Sequence, residues 1–470
     1  MTVPLPQFAD AVYDLTPADG NPASRANLQF VLFYRTAENV KHRVSASLRE
    51  AFYRVLTRYP ILFGRIERCT KGHSSSSSSA PAHVVVSKNP PAECMPRYEE
   101  IDVGESIEDI QRADYNWAAW PPALLSICPV RRPSTETQAD DPLVWCIVTW
   151  HKDGMGILFS VDHSVTDGVG IDILLNQWAH AVRDPPAEAN VVVDYDHASV
   201  FEGLSRDEPE SDWFVRHIDS VDLSKTQGAC GAILESDPRS AREVELALFA
   251  NVHSVRITPE AMERLHSDAT KEDRQTGGAK HVSLIRLAYA LVWQRYTLAL
   301  QEVAPWEGSD CLLNIIHSVR HLVDRPHYIG NAVCPVYMKH SAAALRDMSL
   351  CQIAETIGNH MHSVTGPQWL AFLLMLQDSD RYAKFLTVFA SPESRQLSVS
   401  NISRLGFFGV DFGFGIPAHV TVYPMMVPGF ATWLPLSGSG GLHIVWNMTD
   451  AVAARLKNDP LFTRYADLLF

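Results

Sequence analysis

Apolar residues recur at helical spacing through Val44, Leu48, Phe52, Val55 and Leu56 before Tyr59-Pro60 breaks the run, which predicts an early core helix over 44–59. Two runs rich in β-branched and aromatic residues, 143–150 and 155–161, flank the turn-forming Lys152-Asp153-Gly154 and predict a β-hairpin. The second run passes directly into Asp162-His163-Ser164-Val165-Thr166-Asp167-Gly168. An amphipathic helix over 170–184 follows, with Ile171, Leu174, Leu175, Trp178 and Val182 on its apolar face. A polar motif thus sits on a strand-to-helix loop.

Periodicity then fails between Asp184 and Glu243, where Asp184-Pro185-Pro186, Asp207-Glu208-Pro209-Glu210 and Ser236-Asp237-Pro238-Arg239 punctuate a polar stretch that reads as a crossover. Beyond it the pattern predicts a strand over 252–257, a helix opening at Thr258-Pro259-Glu260 and a long helix over 282–300. Arg286, Gln294 and Arg295 exclude that helix as a membrane span. Further strands are expected around 312–316, 385–390, 396–400 and 442–448, with helices over 349–362 and from Asp450. Ser437 to Gly441 reads as a hairpin turn, and Lys71-Gly72-His73 with the serine run Ser74 to Ser79 as a flexible surface loop without function. Strands and helices mingle in both halves, a mixed α/β (α+β) class, and no internal repeat is visible.

The chain has 470 residues, more than one hydrophobic core supports, so two lobes or domains are expected. Apolar residues at 46% and charged residues at 20% are those of a globular enzyme rather than a disordered chain. A net charge of −14 without a basic block argues against nucleic acid, although one phosphorylated ligand in a local pocket is compatible with it. Cys69, Cys94, Cys128, Cys146, Cys230, Cys311, Cys334 and Cys351 show no framework spacing and read as buried thiols. The opening Met1-Thr2-Val3-Pro4-Leu5-Pro6 lacks a signal-peptide pattern, so a cytoplasmic protein with no membrane span is expected, and the sequons at Asn401 and Asn447 are taken as chance.

An imidazole titrates near neutrality and can take a proton from an attacking hydroxyl, which makes His163, at the end of a rigid hairpin, a candidate general base. Asp167 would fix the loop or the ring, and Gly168 would permit a tight turn before the helix. The spacing alone is weak, since His180 to Asp184 repeats it inside a helix without a following Gly. A second constellation is Ser403-Arg404-Leu405 followed by Asp411-Phe412-Gly413-Phe414-Gly415 and Pro417, which reads as a turn in which Asp411 accepts backbone hydrogen bonds. No helix follows it and no Lys stands where a phosphate would need one, so it is not a nucleotide loop. A serine elbow and a zinc-ligand spacing are both absent.

Together these motifs resemble the BAHD acyltransferases, coenzyme A-dependent enzymes marked by H-x-x-x-D-G and D-F-G-W-G. The likeness spans nearly the whole chain, with Leu48 to Arg65, Leu284 to Trp293, Arg320 and Tyr328-Ile329-Gly330-Asn331 as lesser landmarks in order. It implies two chloramphenicol acetyltransferase-like lobes with a central channel: 1–205, a 206–243 linker, and 244–470, part of 365–400 packing with the first lobe. It further implies an acyl-CoA co-substrate with no permanently bound cofactor and no metal, a small-molecule alcohol or, less readily, amine as acceptor, and a monomer. His163 would deprotonate the acceptor, with Ser400 or Asn401 donating to the oxyanion. Asp167 would pair with Arg320, or alternatively Arg404, to hold the loop. Gly168, Asp411, Gly413 and Gly415 would be structural.

Phe414 replaces the family's Trp, and Ile402 stands where plant members carry Trp near the acceptor. These departures fit a divergent microbial member acting on a secondary metabolite or glycolipid alcohol. Two alternatives keep the fold: a condensation-domain-like enzyme using a carrier-protein thioester, which would want a second His where Asp162 stands, and a non-catalytic binding protein.

Overall fold

The computed structural model describes residues 8–16, 19, 27–36, 40–68, 82–121, 124, 142–184, 192–197, 200, 251–275, 282–305, 310–377, 381, 384–385, 395–424, 427–436 and 440–469. The serine run, the 206–243 linker and all but Phe385 of the strand expected over 385–390 lie outside them. In chain order the strands are β1 Ala11–Asp14, β2 Asn27–Arg35, β3 Arg65–Arg68, β4 Ala82–Val86, β5 Arg97–Asp102, β6 Val144–His151, β7 Gly154–Asp162, β8 Val252–Ile257, β9 Asp310–Ser318, β10 Val333–Ser341, β11 Gln396–Asn401, β12 His419–Val422, β13 Phe430–Pro435, β14 Leu442–Asn447 and β15 Asp467–Leu468. The longer helices are α1 Val40–Leu56, α2 Gly168–Arg183, α3 Pro259–Gln275, α4 Leu284–Val303, α5 Leu350–His362 and α6 Gly366–Gln377.

Among the described residues two large mixed sheets form. One runs β12-β2-β7-β6-β5, the other β10-β9-β11-β13-β14-β8-β15, and β1-β4-β3 makes a small third. The β6–β7 hairpin pairs Val144 with Val161 and His151 with Gly154, so Asp153 turns the chain as expected. Every residue of β7 is buried, as a central strand covered on both faces should be. Helix α1 begins one turn earlier than the apolar pattern indicated and stops at Leu56, and Pro60–Phe63 continues as a 3-10 turn because proline cannot extend the α-helical ladder.

One core surrounds the first sheet, α1 and α2, and a second lies between the other sheet and α3, α4 and α5. Late residues Phe407, Val410, Phe412, Val420 and Val422 belong to the first core, and β12 pairs antiparallel with β2. The late segment that joins the first sheet is 402–423; of the 365–400 stretch expected to pack with the first lobe, α6 places Trp369 and Leu373 in a third cluster with Val200 of 1–205 and with Leu312 and Tyr328. Where the sheets meet, His419 of β12 stacks on Tyr115 at 3.7 Å and stands 5.2 Å from His443 of β14.

Candidate active site

The first sheet delivers His163. β7 ends at Asp162, paired with Asn27, and His163 is the next residue. Asp162 is buried and its Oδ1 accepts from Ser164 N at 2.8 Å, while Val165 N returns to Asp162 O, so the loop turns sharply. The His163 side chain is half-buried. Its Nδ1 lies 2.8 Å from Thr166 O. A carbonyl only accepts, so this contact places the proton on Nδ1 and, in the neutral ring, the lone pair on Nε2. Nε2 has no hydrogen-bond partner among the described residues.

Asp167 caps α2. Its Oδ1 accepts from Val169 N at 3.0 Å, Gly170 N at 3.1 Å and Arg320 Nη2 at 2.7 Å; Oδ2 accepts from Arg320 Nη1 at 2.8 Å and Ala332 N at 3.1 Å. A carboxylate offers about four lone-pair sites, so these donors fill it and leave nothing for a relay to His163. Both partners are buried, at 3% and 7% exposure, and the bidentate geometry is what makes such a pair tolerable away from water. Arg320 also donates through Nε to Tyr328 O at 3.0 Å and through Nη2 to Gly330 O at 2.8 Å. Arg404, the alternative partner, is exposed and does not reach Asp167; its charge acts instead on the Tyr289 phenol, which burial pushes up and which the Asn401 hydrogen bond and that charge partly pull back.

The glycine expectation needs correction. Gly168 does not adopt a left-handed backbone, and a Cβ there would stand 3.2 Å from Ile402 Cγ2, tight but near a side chain. The strict requirement lies at Gly170, where a Cβ would sit inside van der Waals contact of Ile329 O and Thr166 Oγ1. Ile329 O accepts from Thr166 Oγ1 at 2.8 Å, so α2 starts in direct contact with the 328–331 strip.

Ser400 and Asn401 end β11, and alternation sends their side chains to opposite faces. Asn401 Nδ2 donates to Tyr289 OH at 2.7 Å and Oδ1 accepts from Ser403 N at 2.9 Å and Ser403 Oγ at 2.7 Å. Asn401 is thereby turned toward α4, with one amide hydrogen committed to Tyr289. Ser400 shares its face with Ile402, whose side chain reaches Gly168, and its hydroxyl makes no hydrogen bond among the described residues.

Asp411 lies apart from this loop. Its Oδ1 accepts from Gly413 N at 2.7 Å and Gly415 N at 2.9 Å, and both glycines have positive φ, +96° and +109°. Desolvation pushes the Asp411 carboxyl up, but the hydrogen bonds from Gly413 and Gly415 and the nearby Arg183 hold it below its usual range. Phe412 packs on Trp178 and Phe414 on Tyr34, so the segment pins the late chain to the first core. An open hollow of about 460 Å³ at Arg35, Thr36, Arg43 and Phe414 likewise touches none of the His163 loop.

Sequence reasoning missed Thr166 and Gly170, although both lie inside or beside the motif it quoted. It named Asn331 only as a landmark, yet Asn331 Nδ2 donates to His163 O at 2.6 Å. Among the described residues no group of His, Cys, Asp and Glu could hold a metal, and no helix is long and apolar enough to cross a membrane.

The profile described as "Transferase family" matches residues 116–451. The chain is 22% identical over 468 residues to Acyltransferase M4 of Phoma sp., covering 90% of this chain and 88% of that relative. In fold it is similar to TRI101 of F. graminearum complexed with coenzyme A and deoxynivalenol, at TM-score 0.77 and 17% identity, with 98% of this chain and 100% of that one covered. Vinorine synthase is similar at TM-score 0.64 and 16% identity, covering 96% and 93%.

Proposed function

The chain belongs to the Transferase family of BAHD acyltransferases, and from that premise we propose that it moves an acyl group from an acyl-CoA thioester to a hydroxyl of a small molecule, with His163 as general base. The observation that carries this reading is the hydrogen bond between His163 Nδ1 and Thr166 O, which leaves Nε2 able to accept a proton.

Nε2 takes the proton of the acceptor hydroxyl as its oxygen attacks the thioester carbonyl. A C–O bond forms and the carbonyl electron pair becomes an oxyanion, toward which the Ser400 hydroxyl, without a hydrogen bond among the described residues, donates. The C–S bond then breaks, and the departing thiolate takes the proton back from the imidazolium. Thr166 O supports that cation throughout, because a charged donor strengthens its hydrogen bond. Asp167 and Arg320 hold the loop and exchange no proton. A similar fold accommodates coenzyme A together with T-2 mycotoxin in F. graminearum TRI101, which supports a secondary-metabolite acceptor for this chain. Asp162, buried against Ser164, occupies the place where a carrier-dependent condensation enzyme would carry its second histidine. In this reading 1–205 and 244–470 are the two lobes, with 402–423 returned to the first.

Acetyl-CoA with a panel of alcohols, followed by thiol release, tests the proposal. His163→Ala in folded protein should lower kcat on the order of 10²–10⁴-fold. An unchanged rate defeats it.

A further inference from the structure

Asp19 takes no part in the scheme above, yet its side chain is 0% exposed. Its carboxylate is met from three segments. Oδ2 accepts from Thr16 N at 3.0 Å and pairs with His197 Nδ1 at 2.7 Å, while Oδ1 accepts from Asn331 N at 3.2 Å and Asn331 Nδ2 at 2.6 Å. Burial pushes the carboxyl up; the His197 charge and the hydrogen bonds from His197, Thr16 and Asn331 outweigh it and hold it below the usual carboxylate range. A buried carboxylate is costly unless its partners are in place, and here all of them are.

The second hydrogen of the same Asn331 amide goes to His163 O at 2.6 Å. An amide can turn end for end, but here the other orientation would set its oxygen against both Asp19 Oδ1 and His163 O, acceptor facing acceptor. Asp19 thus selects the orientation that donates to His163. The base then has two ties: its own carbonyl to Asn331 and its ring to Thr166 O, whose residue is in turn bound to Ile329 O. Both ties end on the strip 328–331, and that strip is held by Arg325, which pairs with Asp194 and packs under the Tyr328 ring.

We infer that Asp19 is a positioning residue for His163: through the Asn331 amide it fixes the backbone carbonyl of the base and hence the direction of Nε2. The inference rests on His163 being the base. What holds the Asn331 amide is the acceptor oxygen facing it; in Asp19→Asn the amide oxygen can keep that place, where it meets two donors, while the NH2 takes the Oδ2 side against Thr16 N and a His197 ring whose Nδ1 can accept.

Bromoacetyl-CoA tests this without an acceptor, because Nε2 displaces bromide and forms a bond to the acetyl CH₂. Peptide mapping reads alkylation at His163, and the concentration dependence separates half-saturation from limiting rate. Asp19→Ala and Asn331→Leu should slow the limiting rate by about tenfold or more, with half-saturation within about twofold, as a displaced reacting group requires. Asp19→Asn should recover the limiting rate to within about threefold. Thermal melts establish folding, and if Asp19→Ala does not fold, Asn331→Leu and Asp19→Asn decide. A folded Asn331→Leu alkylated as fast as the parent, or a folded Asp19→Asn as slow as Asn331→Leu, overturns the inference. A parent chain not alkylated at His163 removes the general-base reading and this inference with it, whereas a parent that is alkylated alongside indifferent variants removes this inference alone.

Discussion

Ser400 and Asn401 are neighbours with donor side chains, and the strand's alternation separates their fates. Asn401 donates to Tyr289 and accepts from Ser403; among the described residues the Ser400 hydroxyl makes no hydrogen bond. Removing a donor aimed at developing charge acts on the transition state more than on binding, so Ser400→Ala should lower kcat on the order of 10²–10³-fold with KM little changed. Asn401→Ala should instead show its cost in the melting temperature, and a reversal of the two patterns in steady-state kinetics would reassign the donor. Residues close in sequence could be picked out together: His163 and Asp167 sit in one short motif, although the glycine that packing demands beside it is Gly170 and not Gly168. Asp19, His197 and Asn331 could not, because each stands in a different segment and only folding brings them to one carboxylate. The partner of Asp167 was legible only through family likeness, since nothing in the spacing of Arg320 distinguishes it from Arg404.

At the scale of elements, strong periodicity was reliable and position was less so. The strand 252–257 and helices α2 and α5 stand within two residues of their expected limits. The helix expected from Asp450 does begin there and runs to Lys457, with Thr449 as its cap and the Asp450 charge favouring the first turn. β2 escaped notice because Leu28 to Tyr34 is almost continuously apolar, which periodicity cannot assign to strand or helix. The glycine error has the same origin: a close approach between α2 and the 328–331 strip leaves no trace in a local pattern. Gly170→Ala forces that contact apart and should destabilise the protein by about 1–3 kcal/mol and slow thiol release. Gly168→Ala, facing the movable end of Ile402, should cost less, and urea melts of the two variants compared with the parent would expose an inverted order.

At the scale of the molecule, the two large sheets meet through paired buried imidazoles. Burial and the neighbouring His443 hold His419 well below its ordinary pKa, and burial lowers His443 to about 4; their other close partners are Tyr115 and Ser254. The unfolded chain binds protons below about pH 6.5 while the folded one does not, so stability is full above that pH and declines as pH falls toward about 4. His443 alone accounts for a loss on the order of 3 kcal/mol across that window. Urea melts at pH 7.5 and 4.5 should show the decline, and it should shrink in His443→Leu; an identical decline would place its source elsewhere.

The pairing of β12 with β2 also carries a consequence for biosynthesis. Asn27–Arg35 leaves the ribosome early and His419–Val422 very late, so at about 5–20 residues per second the first strand waits tens of seconds for its neighbour. During that delay the nascent chain presents an unpaired apolar edge, an invitation to chaperones and to aggregation alike. Expression yield should therefore depend on translation speed and chaperone supply more than equilibrium stability would suggest.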